Sequence, residues 1–464
     1  MNVLLISTYE LGRQPFGLAS PAAFLKRAGA RVTCADLSVE HLNDDALRAA
    51  DLIAFFLPMH TATRLAIPHL RRARELNPRA HLCAYGLYAP LNEKYLRALG
   101  VETILGGEFE EQLVDLHRAI ASRHCEHIRG VYPERSEWTH CKPCGERSES
   151  IRDEAIPESH NDTAREIPRQ KFLIPDRAQL PALEKYARLN ARGESRVTGY
   201  TEASRGCKHL CRHCPIVPVY RGQFRVVQRE VVLADIRQQI QMGAQHITLP
   251  IVRELHREFP NVTYDATIKI EHLLQHADQL PTLRDTGCLF VTSAVEAVDD
   301  RILKILDKGH TRADFIRVAE IFRELQMNLA PTFVAFNPWI SLEGYRDLLA
   351  LIAELDLVEH VAPIQYAIRL LIPARSRLLE LPEVRALIGA YDEVKLCYAW
   401  RHPDSRVDEL HADVLPIIQA AQKENASRRE IFARVWARAY GETYRDKNFS
   451  PAQPIPHLSE PWYC

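Results

Sequence analysis

Short apolar runs alternate with helix-period stretches over the first 120 residues. Val3–Thr8, Arg31–Cys34, Leu52–Leu57, His81–Tyr85 and Glu102–Leu105 read as strands. Their continuous apolar character is that of parallel strands covered on both faces. A helix is predicted over Pro21–Ala28, closed by Gly29. Five strands with helical crossovers predict a doubly wound, Rossmann-like domain over residues 1–120. Ligands on such sheets sit beyond the carboxyl ends of the strands, here the loops Gly12–Ser20, Pro58–Thr61, Gly86–Pro90 and Gly106–Glu108. The first loop is not G-x-G-x-x-G, which argues against a dinucleotide. Residues 121–190 lose periodicity and read as a polar linker and lead-in. Alternation resumes over 191–375, with strands at Gly199–Ser204, His246–Leu249, Val262–Ile268, Leu289–Val295, Ala330–Phe336 and Pro363–Leu371. Six strands with helices between them predict a partial (β/α) barrel, active at its carboxyl-terminal rim. Residues 376–464 read as a helical C-terminal region. The fold class is α/β.

The charge balance changes the picture only by exclusion. Lys+Arg 59 against Asp+Glu 60 leave a net charge of -1, so no nucleic-acid partner is expected. No apolar run is long enough to suggest a membrane span. Eleven cysteines without a secretory signal point to a reducing, cytoplasmic setting and thiols kept for metal or redox work. Cys34, Cys83, Cys288 and Cys397 sit in apolar segments and read as core. Cys141-Lys-Pro-Cys144, with Cys125, His124 and His140 nearby, lies in a segment read as irregular linker, with zinc binding or a redox pair as the alternative.

The chemistry concentrates at Cys207-Lys-His-Leu-Cys211-Arg-His-Cys214, which follows Arg205-Gly206. Three thiolates in one tight loop suit a soft metal or an iron–sulfur cluster. No fourth cysteine follows closely, and three thiolates on a four-iron cluster leave one iron open. The alternative is zinc, with His209 or His213 as fourth ligand, although zinc sites usually pair cysteines differently. The C-x3-C-x2-C spacing resembles that of the radical S-adenosylmethionine (SAM) enzymes. That resemblance implies a 4Fe-4S cluster on Cys207, Cys211 and Cys214, its open iron chelating SAM. It further implies that His213 replaces an aromatic residue near the adenine and that Glu296 contacts SAM. Lys269, Glu271, Asn337 and Arg369 fall at or near other strand ends. Only Pro250 separates strand from helix after Leu249, where relatives carry a longer acidic loop that shapes the SAM pocket.

The first domain, with Pro-Phe-Gly-Leu-Ala at its first turn and Gly-Gly-Glu after its last strand, resembles the cobalamin-binding domain of cobalamin-dependent radical SAM enzymes. The resemblance implies cobalamin contacts at Tyr9, Phe16, Gly17, Leu18, Gly86, Gly106, Gly107 and Glu108. The D-x-H-x-x-G motif is absent; His60 is within reach of a cobalt, or else merely solvated or capping. The alternative is a Rossmann domain that has kept the shape and lost the ligand. Across nearly its full length the chain resembles the CUAEP/CCAEP-tail radical SAM proteins. The match rests on Leu5–Leu11, Pro58–Arg64, Tyr85–Pro90, the cysteine loop and the ending Glu460-Pro-Trp-Tyr-Cys464. Such tails continue as Cys-Cys-Ala-Glu-Pro or with selenocysteine, so the expectation is that a UGA codon follows Cys464 and that Cys464 is a candidate redox residue; a natural terminus is the alternative. The implied activity is reductive SAM cleavage with methylation of an unactivated carbon. The rivals are non-methylating rearrangement or sulfur/selenium chemistry, or non-catalytic cofactor binding. The implied partners are a small-molecule or peptide substrate and a reductase or flavodoxin/ferredoxin-type electron donor.

Overall fold

The computed structural model describes residues 1–131, 170–248, 253–445 and 455–459. The first sheet comprises β1 (Asn2–Ser7), β2 (Arg31–Asp36), β3 (Leu52–Phe56), β4 (His81–Tyr85) and β5 (Thr103–Leu105). Every pairing is parallel and the order is β2-β1-β3-β4-β5. Alternate side chains feed two cores, one on each face. Leu5, Ala54, Phe56 and Tyr85 join Leu18 and Phe24 on one face. Leu4, Ile53, Phe55 and Leu82 join Ala66 and Leu70 on the other. The order reverses between β1 and β3, a topological switch point that opens a crevice at the strands' carboxyl ends.

The first helix runs Phe16–Arg27 rather than starting at Pro21, which lies inside it. Proline cannot donate to the carbonyl four residues back, that of Gly17. That carbonyl instead accepts the Tyr85 hydroxyl at 2.8 Å, which allows the proline inside the helix. The last helix of this domain, Glu110–Val131, continues past residue 120.

The second sheet contains β6 (Arg188–Ala191), β7 (Glu194–Tyr200), β10 (His246–Thr248), β11 (Thr263–Thr267), β12 (Cys288–Glu296), β13 (Leu329–Phe333) and β16 (His457–Leu458). A two-stranded ribbon, β8 (Ser204–Gly206) with β9 (Phe224–Val226), and a hairpin, β14 (Ile388–Asp392) with β15 (Cys397–Trp400), stand apart from it. The order is β13-β12-β11-β10-β7-β6-β16; β7 and β10 to β13 are parallel, and β6 and β16 antiparallel to their neighbours. The sheet curls into a partial barrel.

The structure departs from the sequence expectation at two strands. The barrel's opening strand is Glu194–Tyr200, not Gly199–Ser204, because Ser204–Gly206 pairs with Phe224–Val226 instead. The sixth strand shrinks to a single bridge between Phe336 and Arg369. Pro363–Tyr366 winds into a 3-10 turn, and the Gln365 side chain accepts the Phe333 N–H at 2.9 Å, doing what a strand carbonyl would have done.

The C-terminal region is mainly helical, with Ser405–Lys423 and Arg428–Tyr440 packed against Leu342–Glu354 around Leu348, Val414, Phe432 and Val435. Two β elements interrupt that expectation. The β14–β15 hairpin reaches the first domain, where Tyr391 donates to Asn92 Oδ1 at 2.8 Å. Strand β16 adds to the barrel edge through His457–Asn190 and Leu458–Leu189. Cys141, Cys144, the Leu249–Pro250 junction and Cys464 lie outside the described residues. No helix among the described residues is long and apolar enough to cross a membrane.

Candidate cluster and cofactor site

The cysteine loop is held by its backbone, which leaves its side chains for other work. Strand β8 delivers Gly206 at φ +74, where an added Cβ would stand 2.2 Å from the Gln223 carbonyl oxygen, so only glycine fits. The Cys207 N–H then donates to that carbonyl at 3.1 Å. Farther along, Arg212 N–H donates to Leu306 O at 2.9 Å, Cys214 N–H to Cys211 O at 3.2 Å, and Arg377 to Leu210 O at 2.7 Å. Cys207, Cys211 and Cys214 are all free thiols. Burial raises the pKa of Cys211, with Lys308 opposing the shift, and pushes that of Cys214 up to about 12. Bare thiolates are thus disfavoured there, and a bound metal would reverse the preference by replacing the proton. Three thiols on one pinned loop fit a cluster with a free coordination position.

Glu296 closes β12 at a bulge, where the register with β13 slips. Its φ of +71 is a left-handed conformation that a glutamate adopts at some strain. The carboxylate accepts from His213 Nε2 at 3.1 Å and from Lys308 Nζ at 3.4 Å. Burial alone would raise its pKa, yet Lys308 and His213 draw it down to about 2. The structure therefore joins Cys207, Cys211, Cys214, His213 and Glu296 in one cluster of side chains. Lys308, 3% exposed, completes it, and no sequence signal pointed to that lysine. Lys269 bonds Glu271 at 2.8 Å beside the loop. Asn337 and Arg369 are taken up elsewhere: Asn337 bonds the Val334 carbonyl and the Trp339 N–H, and Arg369 stacks 3.6 Å over Trp400 and pairs with Asp408.

A cavity of about 450 Å³ opens between the two domains. On one side stand Leu11, Pro58 to Thr61, Gly86 to Tyr88, Gly107 and Phe109, at the carboxyl ends of the first sheet. On the other stand Tyr200, Glu202, Ser204 to Gly206 and the end of the cysteine loop, Cys214 to Ile216. Its size lies in the ordinary range for cofactor sites, about 300–1,000 Å³. Gly86 (φ +104) would bring a Cβ within 3.0 Å of the Leu57 carbonyl, and Gly107 sits at φ +68. Backbone, apolar and aromatic surfaces of this kind fit a flat macrocycle.

Other residues named from the resemblance do not themselves line that cavity. Tyr9 lines a separate surface hollow with Thr8 and Leu37. Gly17 packs under the Phe56 ring, Leu18 is in the core, and Gly106 packs on Pro90. Phe16 meets Tyr200 edge-on. His60 does line the cavity, but its Nε2 lies 2.5 Å from the Lys395 carbonyl.

Glu108 belongs to the domain joint. Arg205 is 6% exposed and bonds Glu110 at 2.6 Å, Glu202 at 2.7 Å and Glu108 at 3.3 Å. Phe16, Phe109 and Phe172 surround its guanidinium at 5.0–5.7 Å. The first domain is thus clamped to the residue just ahead of Gly206-Cys207. A second buried pair, Arg177 with Asp235 at 2.7 Å, ties the lead-in to the barrel, and Arg177 also donates to Gln14 at 2.7 Å.

No protein-family model matches the chain. Among curated proteins it is similar to several tRNA-2-methylthio-N(6)-dimethylallyladenosine synthases. The one from Sulfurihydrogenibium sp. (strain YO3AOP1) is 24% identical over 212 residues, 41% of this chain and 48% of that protein. The one from Jannaschia sp. (strain CCS1) is 26% identical over 236 residues, 44% of this chain and 49% of that protein. The chain spans about half the length of the curated relatives it matches. Among solved structures, the cobalamin-dependent S-adenosylmethionine radical enzyme OxsB, with aqua-cobalamin and S-adenosylmethionine bound, gives a TM-score of 0.63 at 13% identity, covering 90% of this chain and 67% of that one. The radical S-adenosylmethionine methyltransferase TsrM from Kitasatospora setae, with cobalamin and a 4Fe-4S cluster bound, gives 0.52 at 15% identity, covering 76% and 70%.

The fold is shared with solved radical S-adenosylmethionine enzymes. Its architecture, a Rossmann-like domain ahead of a partial barrel and a helical C-terminal region, is similar to that of the OxsB and TsrM structures.

Proposed function

We propose that the protein is a cobalamin-dependent radical SAM enzyme acting on a small-molecule or peptide substrate. One observation supports this most: Cys214 and its neighbours Pro215 and Ile216 form a wall of the same cavity that the first sheet's carboxyl-end loops line. A cofactor seated on the first domain would therefore face the cluster loop directly. Cys207, Cys211 and Cys214 would hold a 4Fe-4S cluster. His213 and Glu296 would meet SAM, and Gly86, Gly107 and the surrounding loops would meet cobalamin. When bound, these groups supply a carbon-centred radical that abstracts hydrogen and a transferable methyl group.

The chain's own part is position, charge and exclusion of water. Lys308 and His213 fix Glu296 as an anion beside the cysteine loop, a charge suited to the cationic sulfonium of SAM. The Arg205 clamp sets the distance between the two cofactor surfaces. Cys464 is a candidate redox residue within the same proposal, and the electron donor would be a flavodoxin, a ferredoxin or a dedicated reductase. Incubating the reconstituted, cobalamin-loaded protein with SAM labelled in its methyl group separates the chemistries. Label in a product supports methyl transfer. 5′-Deoxyadenosine without labelled product supports non-methylating radical chemistry and removes the methylation half of the proposal.

A further inference from the structure

A second group of side chains of metal-ligating type, His209, Glu271 and His272, stands beside the cysteine loop. His209, between Cys207 and Cys211, faces His272 of the helix Ile270–Gln275, which follows β11. Their Nε2 atoms are 3.2 Å apart, with ring centroids 5.0 Å apart. Glu271 Oε1 lies 2.8 Å from His209 Nδ1 and 2.8 Å from Lys269 Nζ. Its other oxygen, Oε2, is buried without a hydrogen-bond partner. Ligand atoms of His209, Glu271 and His272 all fall within 4.8 Å of one another.

We propose that His209 and His272 ligate one divalent transition-metal ion of the zinc or cobalt type through Nε2, separate from the cluster thiols, with Glu271 orienting His209 from behind. Metal–imidazole bonds of about 2.0–2.1 Å at tetrahedral or octahedral angles place two ligand nitrogens about 2.9–3.4 Å apart, which brackets the observed separation. Glu271 holds His209 through Nδ1, so the proton sits there and the lone pair is left on Nε2. This is the carboxylate–histidine–metal arrangement that fixes the tautomer of a ligating imidazole. Two imidazole ligands suit borderline ions such as Zn²⁺ and Co²⁺ rather than Mg²⁺ or Ca²⁺. The ion would tie the middle of the cysteine loop to the helix after β11, with its remaining positions open to solvent. Without metal the same rings share one N–H···N hydrogen bond, and the experiment must separate these two states.

The probe is Co²⁺, titrated anaerobically into the full-length chain carrying Cys207→Ser, Cys211→Ser and Cys214→Ser. The expected result is one tight equivalent, with visible bands free of sulfur-to-metal charge transfer, which sets it apart from thiolate sites. His272 is exposed, so His272→Ala should fold normally and abolish those bands. Glu271→Gln should weaken binding about 10–100-fold, as loss of an orienting carboxylate does. Should the triple variant misfold, elemental analysis of the cluster-loaded native chain decides the matter. About one zinc per chain beyond the iron, lost in His272→Ala, is expected. No Co²⁺ binding, or binding and zinc content unchanged in His272→Ala, overturns the proposal and leaves the pair as a hydrogen bond only.

Discussion

Replacing Arg205 by methionine removes the cation at the domain joint while keeping the apolar stem that Phe16, Phe109 and Phe172 surround. Three carboxylates are then left behind: Glu110 at 0% side-chain exposure, Glu108 at 3% and Glu202 at 20%. Removing one partner of a buried ion pair destabilises by about 3–5 kcal/mol, because the surviving charge is stranded. The individual bonds do not add, so the whole loss belongs in that range rather than at three times it. A pH dependence follows. In the intact protein, Arg205 offsets the effect of burial and holds Glu110 below its ordinary pKa. Without Arg205, burial raises all three carboxyls above the unfolded value near 4.5. A raised carboxyl pKa removes stability as pH climbs from the unfolded toward the folded value. The loss should therefore be greatest at pH 7.5 and shrink toward pH 5. Urea unfolding of cluster-free protein at both pH values, followed by tryptophan fluorescence, measures it. A loss below about 1 kcal/mol at pH 7.5, or one that does not shrink on acidification, would refute the reasoning.

Other outcomes follow from the same geometry. Gly206→Ala forces a Cβ against the Gln223 carbonyl at positive φ, so iron uptake on reconstitution should fall severely while the first domain stays folded by limited proteolysis. Lys308→Met frees Glu296 from the cation that lowers its pKa. The stability gap to wild type should be on the order of 3 kcal/mol near pH 6–7 and close as pH falls from about 4.5 toward 2, read by urea midpoints. Glu296→Gln should weaken SAM binding about tenfold or more in equilibrium dialysis while iron content is unchanged; equal affinity would remove Glu296 from the SAM site. Cys211→Ala should lose cluster and SAM cleavage together, measured by iron analysis and 5′-deoxyadenosine formation.

Short apolar runs alternating with helix-period stretches carried the two-sheet architecture, because parallel strands covered on both faces, as in the first sheet, bury consecutive side chains. The cysteine spacing marked the loop, and the position of Glu296 after a strand marked its carboxylate. What stayed illegible depends on contacts between distant residues. Pro21 looks like a helix start until the Tyr85 hydroxyl is seen to occupy the carbonyl that the proline leaves unpaired. Residues 363–371 look like a strand until Gln365 supplies its own side-chain acceptor to Phe333. Gly17 and Gly106 resemble ligand-approach glycines, whereas Phe56 and Pro90 of their own domain occupy that space. Lys308 sits in an unremarkable Asp-Lys-Gly-His turn, and only folding brings it to Glu296. Glu108 and Arg205 lie 97 positions apart, and no local pattern announces their pairing.

The account stands or falls on what the three sulfurs of the Cys207–Cys214 loop bind. Oxygen-free reconstitution of the full chain, followed by iron and sulfide analysis and reduction in the presence of SAM, measures it most directly. The account predicts about four iron and four sulfide per chain, with 5′-deoxyadenosine formed. Zinc held by these thiols, or a complete cluster that leaves SAM uncleaved under strong reductant, would contradict it.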